Sequence, residues 1–305
     1  MDLSNLLTEQ RNENSMQMDQ LNTYDMLKLI HKEDRKINDA VEKVLPAINE
    51  VVEQVYQRLK KGGRLIYVGA GTSGRLGFLD SSECQPTFMT PPEMVQTVMA
   101  GGVDAFFEAI EGSEDDESLG KKDVAEKNLT NLDVVVGITA SGRTPYPIGA
   151  LKHAKSAGAY TVSLTCNENS KISEYADTPI EVLVGPEILT GSTRMKAATA
   201  HKMILNMIST TVMVKLGKVY ENLMVDVHAS NVKLMNRARR IIMEVTDVSY
   251  EEADRVMELT NNEVKPAIVM IKGGVTYEEA LDVIDQANGY VRDAIELARN
   301  SKREV

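Results

Sequence analysis

Short apolar runs alternate with helix-length segments through the middle of the chain. Each run is rich in Val and Ile and is bounded by Gly, Asn or Pro, which is typical of buried strands. They occupy residues 65–68, 132–138, 160–164 and 180–184, with a weaker fifth candidate at residues 94–99. This alternation predicts an α/β fold with a doubly wound, parallel five-stranded sheet that is covered by helices on both faces.

The pattern changes on either side of this region. Residues 1–50 are mostly polar with weak helical periodicity, and residues 193–216 and 226–245 predict long helices. The segment Ser249-Tyr250-Glu251-Glu252-Ala253 recurs 27 residues later as Thr276-Tyr277-Glu278-Glu279-Ala280, and each copy places Glu three positions after Ser or Thr, as in a capping box. We therefore predict three domains: a helical N-terminal arm (1–50), an α/β domain (51–245) and a small all-helical domain of duplicated helix pairs (246–305).

Composition narrows the class of protein. A formal net charge of −11 argues against nucleic acid as a partner, because phosphate backbones require a basic surface. No apolar run approaches the roughly 20 residues that span a bilayer, and the N-terminus lacks the pattern of a signal peptide. Cys84 and Cys166 show no metal-ligand spacing, so we expect no metal and a reducing, cytoplasmic location.

The first candidate motif, Gly69-Ala70-Gly71-Thr72-Ser73-Gly74, directly follows the first predicted strand. Its glycine spacing also fits a dinucleotide fingerprint, which requires an acidic residue about 20 positions further on to hold the ribose. Residues 97–102 contain no carboxylate. The hydroxyls of Thr72 and Ser73 instead suit a terminal phosphate, so the motif favours a sugar-phosphate cradle with no nicotinamide cofactor.

Two further turns follow predicted strands. Thr139, Ser141, Arg143 and Thr144 lie in a hydroxyl-rich turn, and parallel strands bring such turns to one edge of the sheet. In residues 185–196, Ser192 or Thr193 could cap the next long helix, and Glu187 could either cap it or bind sugar hydroxyls. Ordinary turn structure is the alternative interpretation for these residue types.

Two acidic segments supply candidate acid–base groups. Glu83 lies in residues 80–86, predicted to end the helix after the cradle, and the apolar residues 86–89 could cover it and raise its pKa. Glu114 lies in the acidic run of residues 111–116. A solvated turn is the simpler interpretation of such a run.

The chain resembles the N-acetylmuramic acid 6-phosphate etherase family over essentially the whole length of the chain, from TEQRN at residues 8–12 to the helical tail. Five segments carry the resemblance. They are GTSGRLG (71–77), SSECQPTF (81–88), EGSED (111–115), ITASGRTPY (138–146) and GPEILTGSTRMKAATAHK (185–202). The chain departs from many members at Ser82 and Gln85, which leaves Glu83 in place. The resemblance implies a sugar isomerase (SIS), flavodoxin-like core, a homodimer, and a cofactor-free lyase acting in cell-wall recycling. It implies that Glu83 and Glu114 are catalytic and that phosphate is bound by the hydroxyls of Thr72, Ser73, Thr139, Ser141 and Thr144.

These residue types suit an elimination followed by addition of water. Ring opening exposes a C1 aldehyde that acidifies the C2 proton; we expect Glu114 to remove it while Glu83 protonates the departing lactate, or the reverse. His201 and His228 could assist ring opening, although a structural histidine is the commoner case. A sugar-phosphate isomerase and a non-catalytic sugar-phosphate sensor are the competing interpretations.

Overall fold

The computed structural model describes residues 6–108, 110, 112–227 and 232–302. Within these ranges the chain forms two compact units. The first contains residues 6–82 and 92–209, and the second contains residues 83–91 and 210–302. None of the helices in the described ranges is both long and apolar enough to cross a membrane.

A five-stranded parallel sheet forms the centre of the first unit. Its strands are β1 (Leu65–Gly69), β2 (Val95–Met99), β3 (Val134–Ile138), β4 (Tyr160–Thr165) and β5 (Thr178–Glu181). They are ordered β2-β1-β3-β4-β5, and every neighbouring pair is parallel. This is the flavodoxin-like order of a doubly wound sheet, so the predicted fold class is confirmed. Strands β1 and β3 are buried along their whole length, as their uninterrupted apolar sequence indicates.

In the described part of the chain, eight α-helices accompany the sheet. They are α1 (Thr23–Asp34), α2 (Lys36–Lys43), α3 (Leu45–Leu59), α4 (Gly71–Phe88), α5 (Asp104–Phe107), α6 (Glu117–Ala125), α7 (Pro145–Ser156) and α8 (Lys196–Lys215). Short 3-10 helices occupy Glu13–Ser15, Met18–Gln20, Ser113–Asp115 and Lys171–Tyr175. Helix α3 packs on β3 and β5, and helix α7 packs on β1, β3 and β4.

Strand β5 and helix α4 have different bounds from those that the sequence predicted. Strand β5 begins at Thr178 rather than at residue 180, because the main-chain N–H of Asp177 donates to Thr161 O at 2.8 Å and starts the pairing with β4. Helix α4 continues to Phe88 through Pro86 instead of ending within residues 80–86. In both places polar residues and a proline favoured an element boundary, so the sequence did not predict that the element continues.

The second unit is mainly helical. Its helices are α9 (Val232–Thr246), α10 (Tyr250–Leu259), α11 (Val264–Gly273), α12 (Tyr277–Gln286) and α13 (Val291–Ser301), preceded by a hairpin of β6 (Val219–Tyr220) and β7 (Leu223–Met224). The predicted duplicated pairs are α10–α11 and α12–α13. Thr276 and Glu279 form a complete capping box, whereas Ser249 accepts only from Glu252 N and the Glu252 carboxylate pairs with Arg255.

The two units differ from the predicted division at residues 50 and 245. The N-terminal arm belongs to the sheet unit, where Ile37, Val41 and Ile48 are buried. Helix α9 belongs to the helical unit, because its Ala238 and Ile242 join the apolar core of α10–α13. The periodicity of an amphipathic helix reveals its buried face but not the core that covers it.

Candidate active site

The first turn of the candidate site joins β1 to α4 by a very close main-chain approach. A Cβ atom on Gly69 would lie 2.8 Å from Gly74 N, and Gly71 has a φ of +51°. Only glycine fits both constraints without strain. The turn therefore brings the half-buried Thr72 and Ser73 to the first turn of α4, where main-chain N–H groups are available to an anion.

The second turn follows β3, which is the neighbour of β1. Gly69 is paired with Ile138, so the two turns leave the sheet side by side, as the sequence predicted. Thr139 Oγ1 lies 3.2 Å from Ser141 Oγ and 2.8 Å from Thr144 Oγ1. Arg143 donates its main-chain N–H to Ser141 Oγ at 3.2 Å. Its buried Nε has no hydrogen-bond partner among the described residues, which leaves one donor unused.

A cavity of about 130 Å³ joins the first turn to Glu114. Glu114 is exposed and lies in the 3-10 helix Ser113–Asp115. The cavity is lined by Ala70, Gly71, Arg75, Met99, Ala100, Ala105, Ile110 and Glu114. One predicted carboxylate therefore shares a cavity with the predicted phosphate cradle.

Glu83 lies on α4, in the part of that helix that belongs to the second compact unit. Its side chain is exposed, and so are Pro86 and Met89. The expectation that residues 86–89 cover this carboxyl is therefore wrong. Because α4 continues to Phe88, residues 86–88 stay helical instead of folding back over Glu83.

Glu187 caps helix α8. Its Oε2 accepts from Lys196 N at 2.9 Å and its Oε1 accepts from Ala197 N at 3.0 Å, and the residue is 1% exposed. The predicted cap by Ser192 or Thr193 is wrong, because α8 begins at Lys196 and its first two main-chain N–H groups donate to Glu187. Of the two roles expected for Glu187, the structure favours capping. Ser192 is half-buried in the preceding loop.

His201 is buried beside a cysteine. Its Nε2 lies 3.3 Å from Cys166 Sγ, and burial lowers its pKa to about 4. Burial and the nearby Glu187 carboxylate raise the pKa of Cys166 above its ordinary value. A neutral, enclosed pair is a structural arrangement rather than a reactive one. His228, the second histidine considered, lies outside the described residues.

Sequence reasoning missed two buried residues that hold the candidate site in place. Asp80 on α4 accepts hydrogen bonds from Tyr67 Oη at 2.8 Å, Asn206 Nδ2 at 2.6 Å and Ser209 Oγ at 3.0 Å. Asn167 donates to Ala140 O in the second turn at 3.0 Å and to Thr8 Oγ1 in the N-terminal arm at 3.1 Å. Most of these partners are distant in sequence, so no local motif indicates them.

The fold and these turns define an SIS-domain protein. Residues 120–211 match the SIS domain model, and residues 47–155 match the model of the glucokinase regulatory protein N-terminal SIS domain. The phosphoheptose isomerase of Francisella tularensis superposes with a TM-score of 0.52 at 17% identity, covering 64% of this chain and 100% of that one. The phosphoheptose isomerase of Neisseria gonorrhoeae gives 0.50 at 20% identity, covering 63% and 98%. At such identities the likeness establishes the fold alone.

Similarity over nearly the full length identifies the family. The chain is 58% identical to N-acetylmuramic acid 6-phosphate etherase 1 of Bacillus licheniformis, over 88% of this chain and 89% of the relative. It is 56% identical to the N-acetylmuramic acid 6-phosphate etherase of Bacillus subtilis, over 89% and 90%, and 54% identical to that of Yersinia pestis, over 90% and 93%. The chain belongs to the N-acetylmuramic acid 6-phosphate etherase family.

Proposed function

We propose that this protein is a carbon–oxygen lyase that cleaves the D-lactyl ether of N-acetylmuramic acid 6-phosphate. The products are N-acetylglucosamine 6-phosphate and D-lactate, in the recycling of cell-wall sugars. Family membership supports the reaction, and the observation that carries it to this chain is the cavity shared by the phosphate cradle and Glu114. A cradle beside a carboxylate offers an anchor for the 6-phosphate and an acid–base group for the sugar.

The two turns would bind the phosphate. Thr72 and Ser73 would donate hydroxyls from the first turn, and Thr139, Ser141 and Thr144 would do so from the second. The unused Nε of Arg143 is a further donor within the second turn. In a protein of net charge −11, such local donors are needed to hold an anion. Ser192 and Glu187 are secondary candidates for contact with the sugar.

The two carboxylates would move the protons. In the open-chain sugar, Glu114 removes the C2 proton, and the electron pair forms the C2–C3 double bond as the C3–O bond breaks. Glu83 gives its proton to the departing lactate oxygen and later accepts one from the water that adds at C3, while Glu114 returns its proton to C2. The two roles can also be exchanged. Each proton transfer contributes about 10²–10⁴-fold, and no step uses a metal or a nicotinamide.

Incubation with N-acetylmuramic acid 6-phosphate in ¹⁸O-water tests this reaction. We expect free D-lactate and ¹⁸O at C3 of the sugar. An isomerised sugar that retains lactate would favour the isomerase alternative, and bound but unchanged substrate would favour the sensor. Glu83→Gln and Glu114→Gln should abolish lactate release and leave binding largely intact. Glu93→Gln, at an exposed residue outside the candidate site, should keep the wild-type rate.

The protein would act as a homodimer in the cytoplasm. Phe78 and Phe106 are in contact, with tilted rings whose centroids are 4.8 Å apart. Val103 and Phe107, close by in sequence to Phe106, are 70% and 78% exposed. Such an apolar patch is suited to a second copy. Light scattering should give twice the chain mass, and Phe107→Ser should lower it. Both cysteines are buried and neither forms a disulfide, which suits a reducing compartment.

A further inference from the structure

Arg75 lies near the start of α4, directly after the first turn, but binds another part of the chain. Its Nε donates to Phe106 O at 3.2 Å, and its Nη2 donates to Ala105 O at 2.8 Å and to Glu108 O at 3.2 Å. These are main-chain carbonyls from the end of helix α5 and the residue after it. The guanidinium therefore fastens the start of α4 to residues 105–108.

Residues 105–108 lie shortly before Glu114 in the sequence. The segment is bounded by Gly101 and Gly102, with φ of +82° and +67°, and by Gly112, with φ of +90°. Left-handed glycines impose little conformational preference of their own. The three bonds from Arg75 thus supply a fixed point between these glycines. We call the three hydrogen bonds from Arg75 the clamp. Arg75 and Glu114 also line the same cavity, so the clamp and the Glu114 carboxylate lie close together.

Phosphate binding is the obvious alternative for an arginine next to Ser73. An arginine binds phosphate best through two parallel N–H groups on one edge of its planar fork. The Nε–Nη2 edge of Arg75 is already directed at Phe106 O and Ala105 O. A phosphate on that edge would have to displace both carbonyl contacts.

We infer that Arg75 is a positioning residue that holds the Glu114 segment against the phosphate cradle and does not bind phosphate itself. This inference rests on the proposed function. A guanidinium can join several carbonyls at once, whereas the ammonium of lysine is a point charge on a flexible stem. Arg75→Lys should therefore keep the charge and lose the clamp.

The first test measures D-lactate release by Arg75→Lys. We expect kcat to fall by about 10- to 100-fold, the scale of a small misplacement of a reacting group, with KM changed by less than about threefold. Arg64→Lys is the matched control, because Arg64 also donates to two main-chain carbonyls, Lys127 O and Asn128 O, at the opposite end of β1. It should keep the wild-type kcat. A raised KM with unchanged kcat for Arg75→Lys would assign Arg75 to phosphate and overturn the inference.

A double mutant separates positioning from general structural damage. If Arg75 acts through Glu114, Arg75→Lys should slow Glu114→Asp much less than it slows the wild type. Fully additive losses would overturn the inference. Where Arg75→Lys does not fold, Arg75→Ala assayed with added guanidinium replaces it, and recovery of kcat is the expected result; failure to recover kcat would overturn the inference.

Hydrogen exchange tests the clamp without any reaction. Amides of residues 104–108 and 112–115 should exchange faster in Arg75→Lys than in Arg64→Lys, and equal protection would overturn the inference. Lactate release by the wild type is measured first. If the wild type releases none, the proposed function fails, while the exchange result still decides whether Arg75 holds this segment.

Discussion

Lys196 and Glu33 form an ion pair inside the first compact unit, with Nζ 3.0 Å from Oε2 and each residue 1% exposed. Asn12 donates to the same carboxylate oxygen at 2.8 Å, and Lys36 donates to the other at 2.7 Å. The main-chain N–H of Lys196 is held by Glu187. The first residue of α8 therefore binds two buried carboxylates, one of which belongs to the N-terminal arm.

Replacing Lys196 should destabilise the fold strongly. Lys196→Met removes the ammonium and leaves Glu33 buried with fewer donors, which costs about 3–5 kcal/mol when one partner of a buried pair is lost. The measurement is the free energy of unfolding in urea. Lys28→Met is the control, because its pair with Asp25 is 3.3 Å long with side chains 59% and 48% exposed, and should cost less than about 1 kcal/mol. Similar small losses for both variants would contradict a structural role for the buried pair.

The Glu33 carboxylate should make the free energy of unfolding depend on pH in the acidic range. Burial alone would raise the pKa of Glu33. Hydrogen bonds from Lys36, Asn12 and Lys196 outweigh that effect and lower the pKa to about 2, from 4.5. As pH falls from 4.5 towards 2, the unfolded chain takes up this proton first, so stability present above pH 4.5 is lost across that range. In Glu33→Gln, the urea concentration at the unfolding midpoint should fall less between pH 4.5 and 2 than it does in the wild type. An equal fall in both proteins would show that Glu33 is not responsible.

Local features of the sequence predicted the sheet and the two turns, since a buried strand and a hydroxyl-rich turn are each encoded within a few residues. The features that the sequence did not reveal depend on distant partners. Glu33 and Lys196 are 163 positions apart, and Arg75 meets carbonyls 30 to 33 positions away. The exposure of Glu83 likewise depended on how far α4 continues. Such pairings arise when elements pack, and no single segment indicates them.

His201 should matter for stability in weak acid and little for catalysis. Burial lowers its pKa from 6.5 to about 4, so between these values the unfolded chain binds a proton that the folded chain does not. Stability should therefore fall as pH decreases from 6.5 to 4, and His201→Gln should remove that slope. Lactate release at pH 7.5 should change by less than about threefold, because the imidazole is enclosed beside Cys166. His31→Gln, at an exposed residue, is the control, and a loss of rate of about 100-fold or more in His201→Gln would favour a role in ring opening.

Gly142 should determine the shape of the second turn. Its φ is +70°, and a Cβ atom would lie 2.1 Å from Ser170 Oγ. Ser170 cannot yield easily, because its hydroxyl oxygen lies within hydrogen-bond distance of Asn167 O at 2.8 Å and of Thr165 Oγ1 at 3.1 Å. Gly142→Ala should therefore displace the hydroxyls on either side of it. We expect KM for the sugar phosphate to rise by about 10-fold or more, on the scale expected for a small misplacement.

Gly62→Ala separates this displacement from backbone strain. Gly62 has a φ of +86°, and among the described residues no atom lies within 4 Å of where its Cβ would be. Gly62→Ala should cost roughly 1–2 kcal/mol of stability, because it forces alanine into the left-handed region. Gly142→Ala should cost more, because the clash with Ser170 adds to the same backbone strain. Only Gly142→Ala should raise KM, since only there does the new methyl group meet a fixed side chain beside the hydroxyls proposed to bind phosphate. Equal KM values for the two variants would show that the second turn tolerates the shift and that its hydroxyl geometry does not set the affinity for phosphate.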